Sequence, residues 1–191
     1  LLADDGSHTP IPGLKDIDGV WPAQDDLLVL ADRTVSLVAR DGTASSVVDV
    51  PEHTLSIEAV WLDDGIRVVA IVRGDREEGP ELLPKERDRD TLNVYAPSTG
   101  WRKVVEVPNG VSSLSLSGDG SRCAWRESVN TVPEEAMRGE FRACEIQTGE
   151  VTSLTEGAGK AWWIRVAPDG SGVAYQANFQ KDRPITTHTD V

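Results

Sequence analysis

The sequence predicts an all-β protein, a β-propeller segment of about four blades, each a four-stranded antiparallel sheet. Three observations carry this prediction. Short apolar runs alternate with period two, as Trp162, Ile164 and Val166 do against Trp163 and Arg165. Turn signals built on Asp and Gly divide these runs, and 17 Gly and 11 Pro supply punctuation along the whole chain. The turns also form two interleaved series. First-hairpin turns fall at Asp25, Asp64, Asp119 and Asp169, with spacings of 39, 55 and 50; second-hairpin turns fall at Gly6, Gly42, Gly100 and Gly149, with spacings of 36, 58 and 49. A unit of about 40–50 residues holding four strands accounts for both series. The competing architecture is a β-sandwich, which also has short strands and frequent turns.

Taken in order, residues 1–14 read as the outer strands of a partial blade, turning at Asp5-Gly6. Residues 16–52 form a blade with strands Ile17 to Ala23, Leu27 to Asp32, Val35 to Ala39 and Ser45 to Val50. Residues 54–108 repeat the plan with Leu55 to Leu62, Ile66 to Val72, Leu92 to Tyr95 and Trp101 to Val107. A charged insertion from Gly74 to Asp90 interrupts this blade. Residues 111–156 supply Val111 to Leu116, Arg122 to Glu127, Phe141 to Ile146 and Val151 to Leu154. Residues 160–191 begin another blade, with Trp162, Ile164 and Val166 expected to face one neighbour. Its missing outer half is either supplied by residues 1–14, closing a four-bladed ring, or lies beyond an open arc of a larger ring. The arc is the preferred expectation, with the chain a piece of something longer.

Composition narrows the function classes. With 191 residues, 39% of them hydrophobic, the chain is long enough for one domain with a sizeable core. The formal net charge of −13 argues against nucleic acid or an anionic membrane as partner. Its plain role is solubility, and its alternative is attraction of basic peptides or basic protein surfaces. No apolar run approaches the roughly 18 residues of a membrane span, and no signal peptide is legible. The expected location is cytoplasmic, or secreted or periplasmic if a signal peptide has been removed.

Two segments carry a resemblance. Val166-Ala-Pro-Asp-Gly-Ser-Gly-Val-Ala-Tyr175 and, less closely, Ser117-Gly-Asp-Gly-Ser-Arg-Cys-Ala-Trp125 resemble the repeat of TolB-like β-propellers. Ile146-Gln-Thr-Gly-Glu-Val-Thr-Ser-Leu-Thr155 resembles the outer hairpin of the same blades. The resemblance runs from Thr54 onward and is weak over the first fifty residues. It implies propeller architecture and two functional settings. The favoured one is the propeller of a prolyl oligopeptidase-family serine peptidase of the dipeptidyl or acylaminoacyl type. Such a propeller gates peptide substrate and docks an α/β-hydrolase domain that this chain lacks. The alternative is a stand-alone TolB-like interaction scaffold, with a sugar- or ligand-binding propeller as a weaker third. A partner is therefore expected: a hydrolase domain, or a second chain completing the ring.

No catalytic machinery is legible. There is no Gly-x-Ser-x-Gly elbow, and Gly170-Ser171-Gly172 reads as a hairpin turn. The histidines, His8, His53 and His188, all lie in turns or loops without a serine in context. Neither His-Glu-x-x-His nor Cys-x-x-Cys occurs, so no metal and no cofactor are expected. Cys123 and Cys144 share an index sum of 267 with Ser128 and Gly139, the residues that would close the loop between their strands. They are therefore expected to face each other directly, as a packed thiol pair rather than a bridge.

The recognition surface is expected in loops. In an up-and-down blade, every connection from second to third strand leaves the same face of the ring. The long connections at Gly74 to Asp90, Asn130 to Arg138 and Lys181 to Thr189 would all gather there. The residues assigned to this partner-facing rim are Arg73, Glu77, Glu78, Arg126, Glu134, Glu135, Lys181, Asp182, Arg183 and His188. Neutral drift of surface loops is the alternative reading.

Overall fold

A computed structural model describes residues 14–74, 89–108, 110–128, 139–155 and 160–178. These fold into four antiparallel sheets. The first holds β1 (Ile17–Ala23), β2 (Asp26–Ala31), β3 (Thr34–Val38) and β4 (Ala44–Asp49). The second holds β5 (Thr54–Leu62), β6 (Gly65–Val72), β7 (Arg89–Ala96) and β8 (Gly100–Pro108). The third holds β9 (Val111–Leu116), β10 (Arg122–Ser128), β11 (Gly139–Glu145) and β12 (Val151–Ser153). The last pairs β13 (Lys160–Val166) with β14 (Val173–Asn178). Within each sheet the strands follow in chain order, so each sheet is an up-and-down blade. Successive blades meet through their first strands, β1 against β5, β5 against β9 and β9 against β13. These four strands line the axis of a β-propeller segment. No helix among the described residues is long and apolar enough to cross a membrane.

The core consists of three interfaces between blades. Leu28, Val35, Ala59, Ile66 and Val68 fill the first. Val69, Ile71, Leu92, Val94, Trp125 and Cys144 fill the second. Ala124, Phe141, Ala161, Ile164 and Ala177 fill the third. β6 reads as a nearly continuous apolar run because both its faces are covered. On β6, Ile66 and Val68 point to the first blade while Val69 and Ile71 point to the third. Each such side chain contributes about 1.5–3 kcal/mol on burial.

The turns lock neighbouring blades in register. Gly120 and Gly170 take φ of +67° and +69°, and their N–H groups donate to Ser117 O and Ala167 O. Asp169 Oδ1 accepts from Ser171 N at 3.0 Å and Ser171 Oγ at 2.7 Å; Asp119 Oδ1 is held in the same way by Ser121. An arginine two residues after a turn glycine then reaches the next blade. Arg67 Nη1 donates to Gly120 O at 3.4 Å, and Arg122 Nη1 donates to Gly170 O at 2.9 Å. The Asp-Gly-Ser signals of the sequence are thus local Asx-type turns, and their carbonyls serve as docking points between blades.

Two expectations need correction. The strand expected from Leu92 begins at Arg89. Asp90 pairs with Val107, is fully buried, and accepts Gly74 N at 3.2 Å, so the end of the charged insertion belongs to the sheet. The phase of the last hairpin also differs. A bulge between Ala161 and Trp163 takes Trp162 out of the alternation. Ala161, Ile164 and Val166 therefore pack on the third blade, and Trp163 stays 41% exposed with Nε1–H donated to Gln176. The cysteine register is as expected: Cys123 opposes Cys144, Ser128 opposes Gly139, and both buried thiols are free. Their mutual hydrogen bond, reinforced by burial, pushes the Cys123 thiol well up, and the same bond draws Cys144 down.

Candidate functional site

The axial strands bring together residues that are remote in sequence. At their convergence lies an open cavity of about 460 Å³, lined by Asp18, Gly19, Val20 and Trp21 of β1, Ile57 and Glu58 of β5, Ser115 and Leu116 of β9, and Arg165 and Val166 of β13. All four blades contribute. The lining is more polar than apolar: Asp18, Glu58, Ser115 and Arg165 stand beside Val20, Ile57, Leu116 and Val166.

Glu58 is the centre of this cavity. It stands between Ile57 and Ala59 on β5, where strand alternation turns it away from Ala59 in the first interface. Trp21 Nε1–H donates to Glu58 Oε2 at 2.7 Å, bridging the first two blades. This reach depends on Gly19. A Cβ there would lie 2.5 Å from the edge of the Trp21 ring, so only glycine lets the indole fold back across β1. Glu58 Oε1 has no partner among the described residues. Arg165 faces the carboxylate from β13 as a neighbouring charge, while its Nη1 donates to Ile164 O at 3.1 Å. Ser115, buried, ties the opposite wall by accepting Val166 N at 3.1 Å.

Burial holds the Glu58 carboxyl above the usual glutamate range, outweighing the Trp21 hydrogen bond and the Arg165 charge. A folded-state value above the unfolded one contributes stability that is full below the unfolded value of about 4.5 and lost as pH rises through the folded value. Thermal melts of wild type and Glu58→Gln are therefore expected to diverge from about pH 4 to about pH 8, with the variant gaining relative stability toward neutrality. Parallel melting curves would show that the carboxylate is not desolvated.

A second cavity of about 540 Å³ opens where the first two blades meet, lined by Arg33, Val50, His53, Thr54 and Leu55, with Asp18 shared. Arg33 donates to Val50 O and Glu52 Oε1, and His53 O accepts Arg73 N at 3.0 Å. It lies on the face from which the β2–β3, β6–β7 and β10–β11 connections leave. A third cavity of about 460 Å³ separates the outer strands of the third blade from the β13–β14 hairpin.

Of the residues assigned to the rim, Arg73 follows the end of β6 on this face. Arg126 lies in β10, where its Nη1 donates to Ser112 Oγ and its guanidinium fills the space beside Gly139. Glu77, Glu78, Glu134, Glu135, Lys181, Asp182, Arg183 and His188 lie outside the described residues. Sequence reasoning missed Trp21, Glu58 and Arg165. One signal was available: Glu58 and Arg165 are single charges inside apolar first strands of two repeats. Among the described residues, no group of three or more His, Cys, Asp or Glu side chains is placed to hold a metal ion.

No protein-family model matches the chain, and no curated protein matches it in sequence. Solved structures do resemble it. The putative TolB from Agrobacterium tumefaciens is 15% identical with a TM-score of 0.53, the match covering 84% of this chain and 53% of that one. A chain of the nidogen/laminin complex is 15% identical with a TM-score of 0.52, over 91% of this chain and 61% of that one. A chain of the complex of KlAtg21 with the coiled-coil of AgAtg16 is 10% identical with a TM-score of 0.51, over 85% and 50%. The chain thus spans between half and two thirds of the length of these structures. At such identities the likeness is one of fold, a TolB-like β-propeller.

Proposed function

We propose that this chain is a non-catalytic propeller segment whose axial cavity recognises a polypeptide. The observation that carries the reading is the meeting, in one cavity, of a partly buried carboxylate, the indole that orients it and an arginine, drawn from three separate blades. Rigid strands hold these groups, which suits binding by preorganisation. Two of the similar propellers come from complexes with protein partners, nidogen with laminin and KlAtg21 with a coiled-coil of AgAtg16.

In the setting the sequence resemblance favours, the polypeptide is the substrate of an α/β-hydrolase domain, and the propeller gates its access. The ends of β6 and β10 lie on one face, and the length of sequence that follows each of them supports this setting. In the second setting the polypeptide belongs to a partner protein of a TolB-like scaffold.

The experiment is a binding screen of the purified chain against an array of short synthetic peptides, repeated with a fluorophosphonate probe for active serines. Sequence-selective peptide binding without fluorophosphonate labelling is the expected outcome. Labelling of a serine within this chain would end the claim that it is non-catalytic. Indifference to every peptide would end the recognition reading.

A further inference from the structure

The free oxygen of Glu58 points to the kind of residue this cavity takes. A carboxylate with one oxygen fixed by an indole N–H presents its second oxygen in a defined direction. Partial burial strengthens any charge-assisted hydrogen bond made there. Asp18 adds a second negative charge to the wall, and Val20, Ile57 and Leu116 provide apolar surface beside it. A long basic side chain matches both features, its methylenes lying along the apolar wall and its charged head meeting Glu58. The chain's net charge of −13 favours the approach of such a ligand. Arg165 has a definite part in this scheme: its charge faces Glu58 in the unliganded protein and competes with the incoming cation.

We infer that the axial cavity binds a lysine or arginine side chain of the polypeptide, with Glu58 as the charge acceptor, Trp21 and Gly19 as its positioning residues, and Arg165 as the competing cation. This rests on the polypeptide reading above and specifies the residue recognised.

The test measures fluorescence anisotropy of the full chain with short N-acetylated, C-amidated peptides whose central residue is Lys, Arg, norleucine or Glu. The Lys and Arg peptides are expected to bind about tenfold or more tightly than the norleucine peptide. Glu58→Gln, which preserves shape, should abolish that preference. Trp21→Phe should reduce it by freeing the carboxylate, and Arg165→Gln should tighten the Lys peptide, a gain that a merely structural role would not give. Equal binding of Lys and norleucine peptides, or an unchanged preference in Glu58→Gln, would overturn the inference. So would a requirement for a free peptide N-terminus whatever the central residue. N-acetyl-arginine amide against N-acetyl-norleucine amide separates the two levels of the argument. If no peptide binds but the arginine amide does so in a Glu58-dependent manner, the cation pocket stands and the polypeptide reading falls. If neither amide binds, both fall.

Discussion

Trp125→Ala is expected to cost about 3–5 kcal/mol of folding stability. Trp125 is 1% exposed and lies in the interface between the second and third blades, among Val69, Ile71, Leu92 and Val94. The mutation leaves a cavity at the interface between the second and third blades. In a repeat architecture, stability is approximately a sum of terms for each repeat and each nearest-neighbour interface. Weakening the middle interface therefore uncouples the two halves. Against a typical total of about 5–15 kcal/mol, the loss is large. Trp125→Phe is the informative control. The indole nitrogen has no hydrogen-bond acceptor among the described residues, so phenylalanine forfeits volume but no polar contact. Its cost should stay below about 1.5 kcal/mol. Urea denaturation of the two variants decides the point. If the alanine variant falls within about 1 kcal/mol of wild type, the interface is not the structural centre described here.

Phe141→Ala is expected to act as strongly but more locally. Phe141 is fully buried, its ring centroid 5.1 Å from that of Tyr175, and it packs with Ala161, Ile164 and Ala177. Those partners belong to β13 and β14, which are attached to the third blade by this cluster and a few hydrogen bonds. The bonds are Ser113 Oγ to Trp162 O, Val166 N to Ser115 Oγ, Asp119 N to Pro168 O, and Arg122 Nη1 to Gly170 O. Removing the ring carries a transfer-plus-cavity cost of about 3–5 kcal/mol, an upper bound if the hairpin collapses onto the gap. Because β13 and β14 pair only with each other among the described residues, a two-stranded arrangement marginal by itself, the loss should appear first as detachment of the hairpin. Hydrogen exchange would show it: the β13–β14 amides lose protection while those of β5–β8 keep theirs. Uniform loss across all sheets would mean that the segment unfolds as a single unit. The axial cavity should weaken in the same variant, since Arg165 and Val166 sit on the detached hairpin.

The legible parts of the structure were those fixed by local chemistry. The short strands, the Asp-Gly-Ser turns and the opposed cysteines all follow from strand period, the steric freedom of glycine at positive φ, and constant index sums in a hairpin. The failures share a cause. A β-bulge at Trp162 inserts one residue into the alternation, and no residue type announces it. The carboxylate of Asp90 looked like the end of a charged loop because its partner, the Gly74 amide, is sixteen positions away. The candidate site was hidden for the same reason. Residues 21, 58 and 165 belong to three blades, and only the ring curvature makes them neighbours.

The sequence by itself determined that this chain is all-β, that it repeats, and that its blades have four strands. Each of these rests on interactions within a hairpin or between adjacent strands, whose geometry is the same wherever the hairpin sits. Only the tertiary structure decided which face of each strand meets a neighbouring blade and which charges meet at the axis. Those outcomes depend on how whole sheets stack around a common centre, and a lone glutamate on an apolar strand says nothing of what stands across from it. Trp21, folded over Gly19 to hold Glu58, reads in the sequence as one more core tryptophan. Packing against a second blade makes it part of a site.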